Sequence, residues 1–317
     1  MIGRTAAVTD PGRTRRHNED AYVIEPPLFA IADGMGGAQA GEVASRLATA
    51  ALKESASNGG GEQRISDLIQ EANRRVYDRS SSDPNTSGMG TTITVALVEN
   101  DTVSFGHVGD SRAYLIRDAQ MEQLTEDHSL VNELLKTGKL SREEAETHPQ
   151  RSVITRALGT DPDVDVDTFS VRAETGDLFL LCSDGLTDMV SERSILDVVE
   201  RNRADIDGAL RALVKEANRG GGQDNITVVA FEIADGAAAA NDGETREHAL
   251  PAPDDEDTLT EADGVPVVDT AVVSVDEIRA EDKAIRRRHR RRRLFAWLAI
   301  LLLVAIVAAF VYVEFVR

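Results

Sequence analysis

Across its 317 residues the chain carries 55 Asp and Glu against 35 Lys and Arg, a formal net charge of -20 at pH 7. That balance argues against a nucleic-acid binder, which needs a basic face to neutralise phosphates. The single cysteine, Cys182, excludes an intramolecular disulfide and, inside the apolar run Leu178–Cys182, reads as a small core hydrophobe.

Met1–Asp10 lacks a basic region followed by a long apolar stretch, so no secretory leader is expected. Short β-type runs bounded by turn residues then fall at Arg4–Val8, Ala21–Ile24, Leu28–Ala32, Thr92–Val98, Thr102–Val108, Ala113–Ile116, Leu178–Cys182 and Ile226–Ile233. Helical spacing predicts early helices over Gly41–Ser57 and Ile65–Asp78, the second with Leu68, Ile69, Ala72 and Val76 on one face. Later helices are expected at Leu130–Lys136, Arg142–Thr147, Ser191–Arg201 and Ile206–Asn218. Ser191 offers a capping hydroxyl, although Arg193-Ser194 stands where a capping box would place an acid. Strands outnumber helices, and turns as short as Glu99-Asn100-Asp101 join neighbours. The fold class expected is α+β, with antiparallel sheets packed face to face and helices outside.

A folded domain is therefore expected over 1–234. Residues 235–285 turn to Ala, Asp, Glu, Gly and Pro with few large apolar groups, too little to offset the entropy of ordering, so an acidic disordered linker is expected. An arginine-rich segment, 286–293, precedes an unbroken apolar run from Leu294 to Val313. A helix over 294–316 would reach about 30 Å, the thickness of a bilayer's hydrocarbon core. With the arginines on the cytoplasmic side, the expected location is the cell membrane, single-pass, with the folded domain in the cytoplasm.

Acidic residues recur where apolar runs end. Leu28–Ala32 leads into Asp33-Gly34-Met35-Gly36-Gly37, Val103–Val108 into Gly109-Asp110-Ser111-Arg112, and Leu178–Cys182 into Ser183-Asp184-Gly185. Gln223-Asp224-Asn225 immediately precedes Ile226. Clustered carboxylates raise one another's pKa unless a cation neutralises them, and hard oxygen ligands suit Mg²⁺ or Mn²⁺. No His/Cys cluster suggests structural zinc. Singly, each Asp-Gly reads as a turn; together they read as a metal site. Upstream, Arg13-Thr14-Arg15-Arg16-His17-Asn18-Glu19-Asp20 sets guanidiniums ahead of a carboxylate pair, suited to holding a phosphoryl group.

These motifs, with Gly88-Met89-Gly90-Thr91-Thr92, resemble the type 2C metal-dependent protein phosphatases in their bacterial branch, from about Arg4 to Ile233. The resemblance implies a central antiparallel β-sandwich flanked by helix pairs, with two Mn²⁺ or Mg²⁺ ions at one edge. By analogy Asp33 bridges both ions, Asp184 and Asp224 complete the first, and the Gly34 carbonyl binds the second. A third ion is implied near Asp110 and Asp184, with Ser152 as a further contact. Arg15 matches the phosphate-binding arginine, and Asp20 acts through water. Gly88–Thr92 is expected to be structural only. Where some members carry a histidine after Asp-Gly this chain has Met35, leaving a metal-bound water as the expected proton donor and His17 as the alternative. The segment from about 127 to 158 resembles the bacterial flap beside the active site.

The implied activity is hydrolysis of phosphoserine and phosphothreonine on proteins, water activated between two ions attacking phosphorus without a phosphoenzyme. Expected partners are phosphoproteins, a membrane serine/threonine kinase and its substrates, with the chain acting as a monomer. The competing readings are a catalytically silent phosphoprotein-binding scaffold, a small-molecule phosphatase and a membrane adaptor; the last leaves the carboxylates without a role.

Overall fold

The computed structural model describes residues 1–36, 40–54, 60–146, 148–235 and 246–249. In chain order the elements are β1 (Ile2–Asp10), β2 (Asp20–Glu25), β3 (Leu28–Met35), α1 (Ala40–Glu54), α2 (Gly61–Ser82), β4 (Gly90–Thr91), β5 (Ile93–Glu99), β6 (Thr102–Val108), β7 (Arg112–Arg117) and β8 (Gln120–Gln123). They continue with α3 (Leu130–Lys136), α4 (Arg142–Glu146), β9 (Asp167–Arg172), β10 (Leu178–Cys182), α5 (Asp184–Thr187), α6 (Glu192–Arg201), α7 (Ile206–Gly220), β11 (Ile226–Ile233) and β12 (Arg246–Ala249).

One sheet runs β12-β1-β11-β10-β7-β8 and the other β2-β3-β5-β6-β9, with β4 paired to β3. The registered pairings within both sheets are antiparallel except β1 with β12, which is parallel. Alternation along the strands explains the layering, because successive side chains point to opposite faces. In β11, Val229 and Phe231 face the other sheet, where Phe231 stacks on Phe29 of β3 with ring centroids 4.1 Å apart. Val228 and Ala230 face outward, onto a cluster completed by Leu210, Leu213 and Val214 of α7. On the opposite outer face Ile65, Leu68, Ile69, Ala72 and Val76 of α2 meet Val95 and Leu97 of β5. The architecture is a sandwich with helices on both outer faces, as the α+β reading expected.

The strands and helices predicted within 1–234 are all present, with ends moved by a few residues, apart from the helix ends expected at Ser57 and Thr147, which lie outside the described residues. Ser191 caps α6, its hydroxyl accepting from the Ser194 N–H at 3.3 Å. Absent from the sequence reading are β4, β8, β9, β12 and α5. The strand β12 falls inside the span expected to be a disordered linker; β1 is otherwise an edge strand with unpaired backbone groups, which a passing segment can satisfy. The rest of 235–285 outside 246–249, apart from Asp235, and the arginine segment and apolar run at 286–316 lie outside the described residues. Among the described residues no helix is long and apolar enough to cross a membrane.

Candidate active site

The expected site residues gather at one end of the sandwich because strand pairing puts them there. Asp20 opens β2 and pairs directly with Asp33 of β3, so both carboxylates lie on the same face of the sheet. Asp33 stands inside β3 rather than after it, a correction to its expected place at a strand end: β4 extends the pairing past Ala32 through Gly34 and Met35. From the other sheet come Asp184, first residue of α5 directly after β10, and Asp224, in the loop entering β11. Asp110 follows β6. Arg15, in the loop after β1, donates from Nη2 to Asp224 Oδ2 at 2.8 Å.

Several residues given no role, or only a structural one, hold this set in place. The Thr92 N–H and the Thr91 hydroxyl both donate to the Asp33 carbonyl at 2.8 Å, and Thr92 Oγ1 accepts from the Asp33 N–H at 3.1 Å. Thr92 Oγ1 also lies 2.9 Å from Ser111 Oγ, beside Asp110. The Gly-Met-Gly-Thr-Thr motif is structural, as expected, and part of what it shapes is the site: its threonines fix the backbone of the central aspartate. Ser183 donates to Asp20 Oδ2 at 2.9 Å while accepting from the Thr227 N–H at 3.0 Å. Gly34 admits no side chain, since a Cβ there would sit 2.1 Å from the Gly41 carbonyl oxygen. Glu19, the other half of the expected carboxylate pair, contributes through its backbone: its carbonyl receives the Gly34 N–H at 3.2 Å and the Ser45 hydroxyl at 2.6 Å. Threonines and serines in these positions carry no periodic signal; only their place beside the aspartates could have marked them.

Electrostatically the cluster is overcharged with acid. Burial, then the neighbouring Asp20, Asp184, Asp224 and Asp110, holds Asp33 well above the usual carboxylate range. Asp184 is raised the same way, by burial and then Asp110 and Asp224. Burial pushes Asp20 up to about 7, and burial with Asp127 and Asp188 nearby does the same for Asp110. For Arg15, burial works against the charged form but the Asp224 carboxylate outweighs it, so its pKa is raised.

A cation answers this arrangement. Asp20 Oδ1, Asp110 Oδ1 and Asp184 Oδ1 are buried without a hydrogen-bond partner, and an unpartnered buried carboxylate oxygen is costly unless something positive meets it. The donors are all hard oxygens, which suits Mn²⁺ or Mg²⁺. Among the described residues no three His, Cys, Asp or Glu side chains converge tightly enough to hold one ion alone. Ions here would therefore draw on backbone oxygen and water for much of their shells, as Mg²⁺ commonly does.

Beside the cluster, a cleft of about 1330 Å³ is lined by Asp110, Asp184, Ser152, Arg112 and residues of α3, α4 and α6. Ser152 thus shares one cavity with Asp110 and Asp184. The insert around α3 and α4 is tied at its neck: the Thr155 N–H donates to the His128 carbonyl at 2.8 Å, and Ser129 bridges Ile154. Arg112 grips Asp127 at the start of the insert through Nε and Nη2, at 2.7 Å for the latter. Met35 is buried against Ile154 and Ala157, and a thioether there has no proton to give. His17 is exposed, and its backbone carbonyl accepts from Asn225 Nδ2 at 3.0 Å. Cys182 is buried, with its thiol pushed up to about 12 by burial, which fits a core role.

Residues 13–219 match the model of the protein phosphatase 2C family. Over 236 residues the chain is 43% identical to the serine/threonine phosphatase stp of Listeria innocua, covering 71% of this chain and 93% of that protein. The crystal structure of the Mycobacterium tuberculosis serine/threonine phosphatase PstP/Ppp superposes with a TM-score of 0.70 at 38% identity, covering 74% of this chain and all of that one (100%). A second structure, the catalytic domain of PstP in complex with two manganese ions, gives 0.68 at 37% identity, covering 74% of this chain and 99% of that one.

Proposed function

Because this chain belongs to the protein phosphatase 2C family and is a metal-dependent serine/threonine protein phosphatase, we propose that it works through two ions held by its aspartates and acts beside a membrane kinase. Asp33, the Gly34 carbonyl, Asp184 and Asp224 would hold the pair, and Asp110, Asp184 and Ser152 a third. When bound, such ions supply Lewis acidity and an activated water for in-line attack on phosphorus. The Arg15 guanidinium holds the phosphoryl oxygens and neutralises charge that develops on them. Asp20, oriented by the Ser183 hydroxyl, directs water at the site through its free oxygen. With Met35 apolar at the place some relatives fill with histidine, a water held at the ion site would supply the proton to the leaving oxygen. The flap, 127–158, bounds the cleft and admits the phosphoprotein.

The observation that carries this reading is the trio of unpartnered buried carboxylate oxygens on Asp20, Asp110 and Asp184. Calorimetric titration of the chelator-treated protein with Mn²⁺ tests it. At least two ions should bind, and Asp184→Asn should lose one or more. A single ion, or an unaltered count in the variant, would contradict it.

The same reading extends to the cell. A spanning helix at 294–316, behind the arginine segment 286–293 and the acidic linker 235–285, would tether the catalytic domain, 1–234, to the cytoplasmic face of the membrane. A monomer so tethered meets a membrane serine/threonine kinase and its phosphorylated substrates at raised local concentration.

A further inference from the structure

Asn225 stands between the two halves of the site, and every polar atom of its side chain is in use. Its Oδ1 accepts from the Glu19 N–H at 2.8 Å, while Nδ2 donates to the Pro11 and His17 carbonyls, each at 3.0 Å. One carboxamide thus takes one donor and fills two acceptors, which fixes its orientation. All three partners lie in the loop between β1 and β2, more than 200 positions away in the chain. The backbone of the same residue faces the other way: its N–H donates to Asp224 Oδ1 at 2.8 Å, and its carbonyl lies 3.3 Å from Ser183 Oγ, whose proton goes to Asp20. The residue is 3% exposed. Gly12 makes the close approach possible. At φ +77°, a Cβ there would fall 2.2 Å from the Asp224 carbonyl oxygen.

The loop's first half has other anchors. The Arg13 N–H reaches the Gly222 carbonyl at 2.8 Å, and Thr14 Oγ1 the Gln223 carbonyl at 2.5 Å. The second half, His17 and Glu19, is held to the β11 side by Asn225, and Arg15 lies between the two sets.

We propose that Asn225 is a positioning residue whose carboxamide clamps the Pro11–Glu19 loop to the strand end bearing Asp224, so that Arg15 is already in place when a phosphoryl group arrives. This rests on the reading of Arg15 as the phosphoryl-binding residue. Pre-organised donors avoid the cost of ordering a loop on binding, and a small misplacement of such a group is expensive. The carboxamide reaches the site through the loop that carries Arg15, so its loss weakens binding of phosphate more than it slows turnover.

The test uses the full chain as wild type, Asn225→Ala, Asn225→Asp, Arg15→Ala and the Arg15→Ala/Asn225→Ala double variant. Asn225→Asp preserves shape and the acceptor for Glu19 but has no donor for Pro11 or His17, so it reports even if Asn225→Ala folds poorly. With Mn²⁺ and a phosphothreonine peptide, both Asn225 variants should raise KM, and the inhibition constant of inorganic phosphate, about tenfold, with kcat within about threefold. The double variant should be no weaker for phosphate than Arg15→Ala. In chelator, trypsin should cut Asn225→Ala faster after Arg15 and Arg16 while its other sites resist as in wild type. Unchanged KM and phosphate inhibition, multiplicative losses in the double variant, or nicking that rises equally at all sites would overturn the proposal. If Arg15→Ala leaves phosphate inhibition untouched, the reading of Arg15 falls; the trypsin pattern, which needs no activity, separately decides whether the clamp exists.

Discussion

Asp20 shows how a single buried carboxyl links folding to proton and metal. Its pKa in the fold, about 7, lies above the ordinary carboxylate value of 3.8 because burial disfavours the charge. Below about 3.8 both states hold the proton; between there and about 7 the unfolded state gives it up while the folded state keeps it, so stability falls as pH rises across that window and the loss is complete above about 7. In chelator, Asp20→Asn should therefore melt about 5 °C above wild type at pH 8 and level with it at pH 4. Equal melting temperatures at pH 8 would mean that Asp20 carries no such strain. Met35 gives the converse case. Packed on Ile154 and Ala157, it serves the neck of the flap, and Met35→Leu conserves volume and polarity. Turnover of a phosphothreonine peptide should stay within about twofold; a loss of a hundredfold would return this position to the chemistry.

At the scale of elements, the sandwich separates what carries stability from what carries access. Phe231 packs on Phe29 at 4.1 Å and Phe179 at 5.1 Å between the sheets, so Phe231→Ala should cost about 3–5 kcal/mol in urea unfolding. The flap contributes little to those cores, and its ends meet where His128 accepts from Thr155 at 2.8 Å. Replacing 130–150 by a short glycine linker, which keeps Ser152, should leave the melting temperature within a few degrees and turnover of a small aryl phosphate intact, while phosphoprotein turnover changes about tenfold. An unchanged phosphoprotein rate would remove the flap from substrate handling. The strands and helices that bury apolar faces were legible because period 2 and period 3.6 mark them. What escaped was held by other means. β4 is Gly90-Thr91, too short to show a period; β8, Gln-Met-Glu-Gln, and β9 have mostly half-buried or exposed positions. The aspartates stood out through their repeated placement beside apolar runs, whereas Asn225, Ser183 and the Thr91–Thr92 pair act through bonds to residues far along the chain, which no local pattern displays.

For the whole molecule, the excess of 55 acidic over 35 basic residues is uneven, with arginines massed at 286–293 just before the apolar run. Deleting 294–317 should move the protein from the membrane to the soluble fraction with its phosphopeptide activity intact; persistence at the membrane would assign retention to the arginines or a partner. The central claim, that clustered aspartates make this fold a metal-dependent protein phosphatase, is tested most directly by one assay. The purified chain is given a phosphothreonine peptide with Mn²⁺, with chelator, and as Asp184→Asn. Phosphate release should require Mn²⁺, vanish in chelator and return when Mn²⁺ is restored, and fall at least about a hundredfold in Asp184→Asn. Release that survives chelation, or survives the substitution, would contradict the account.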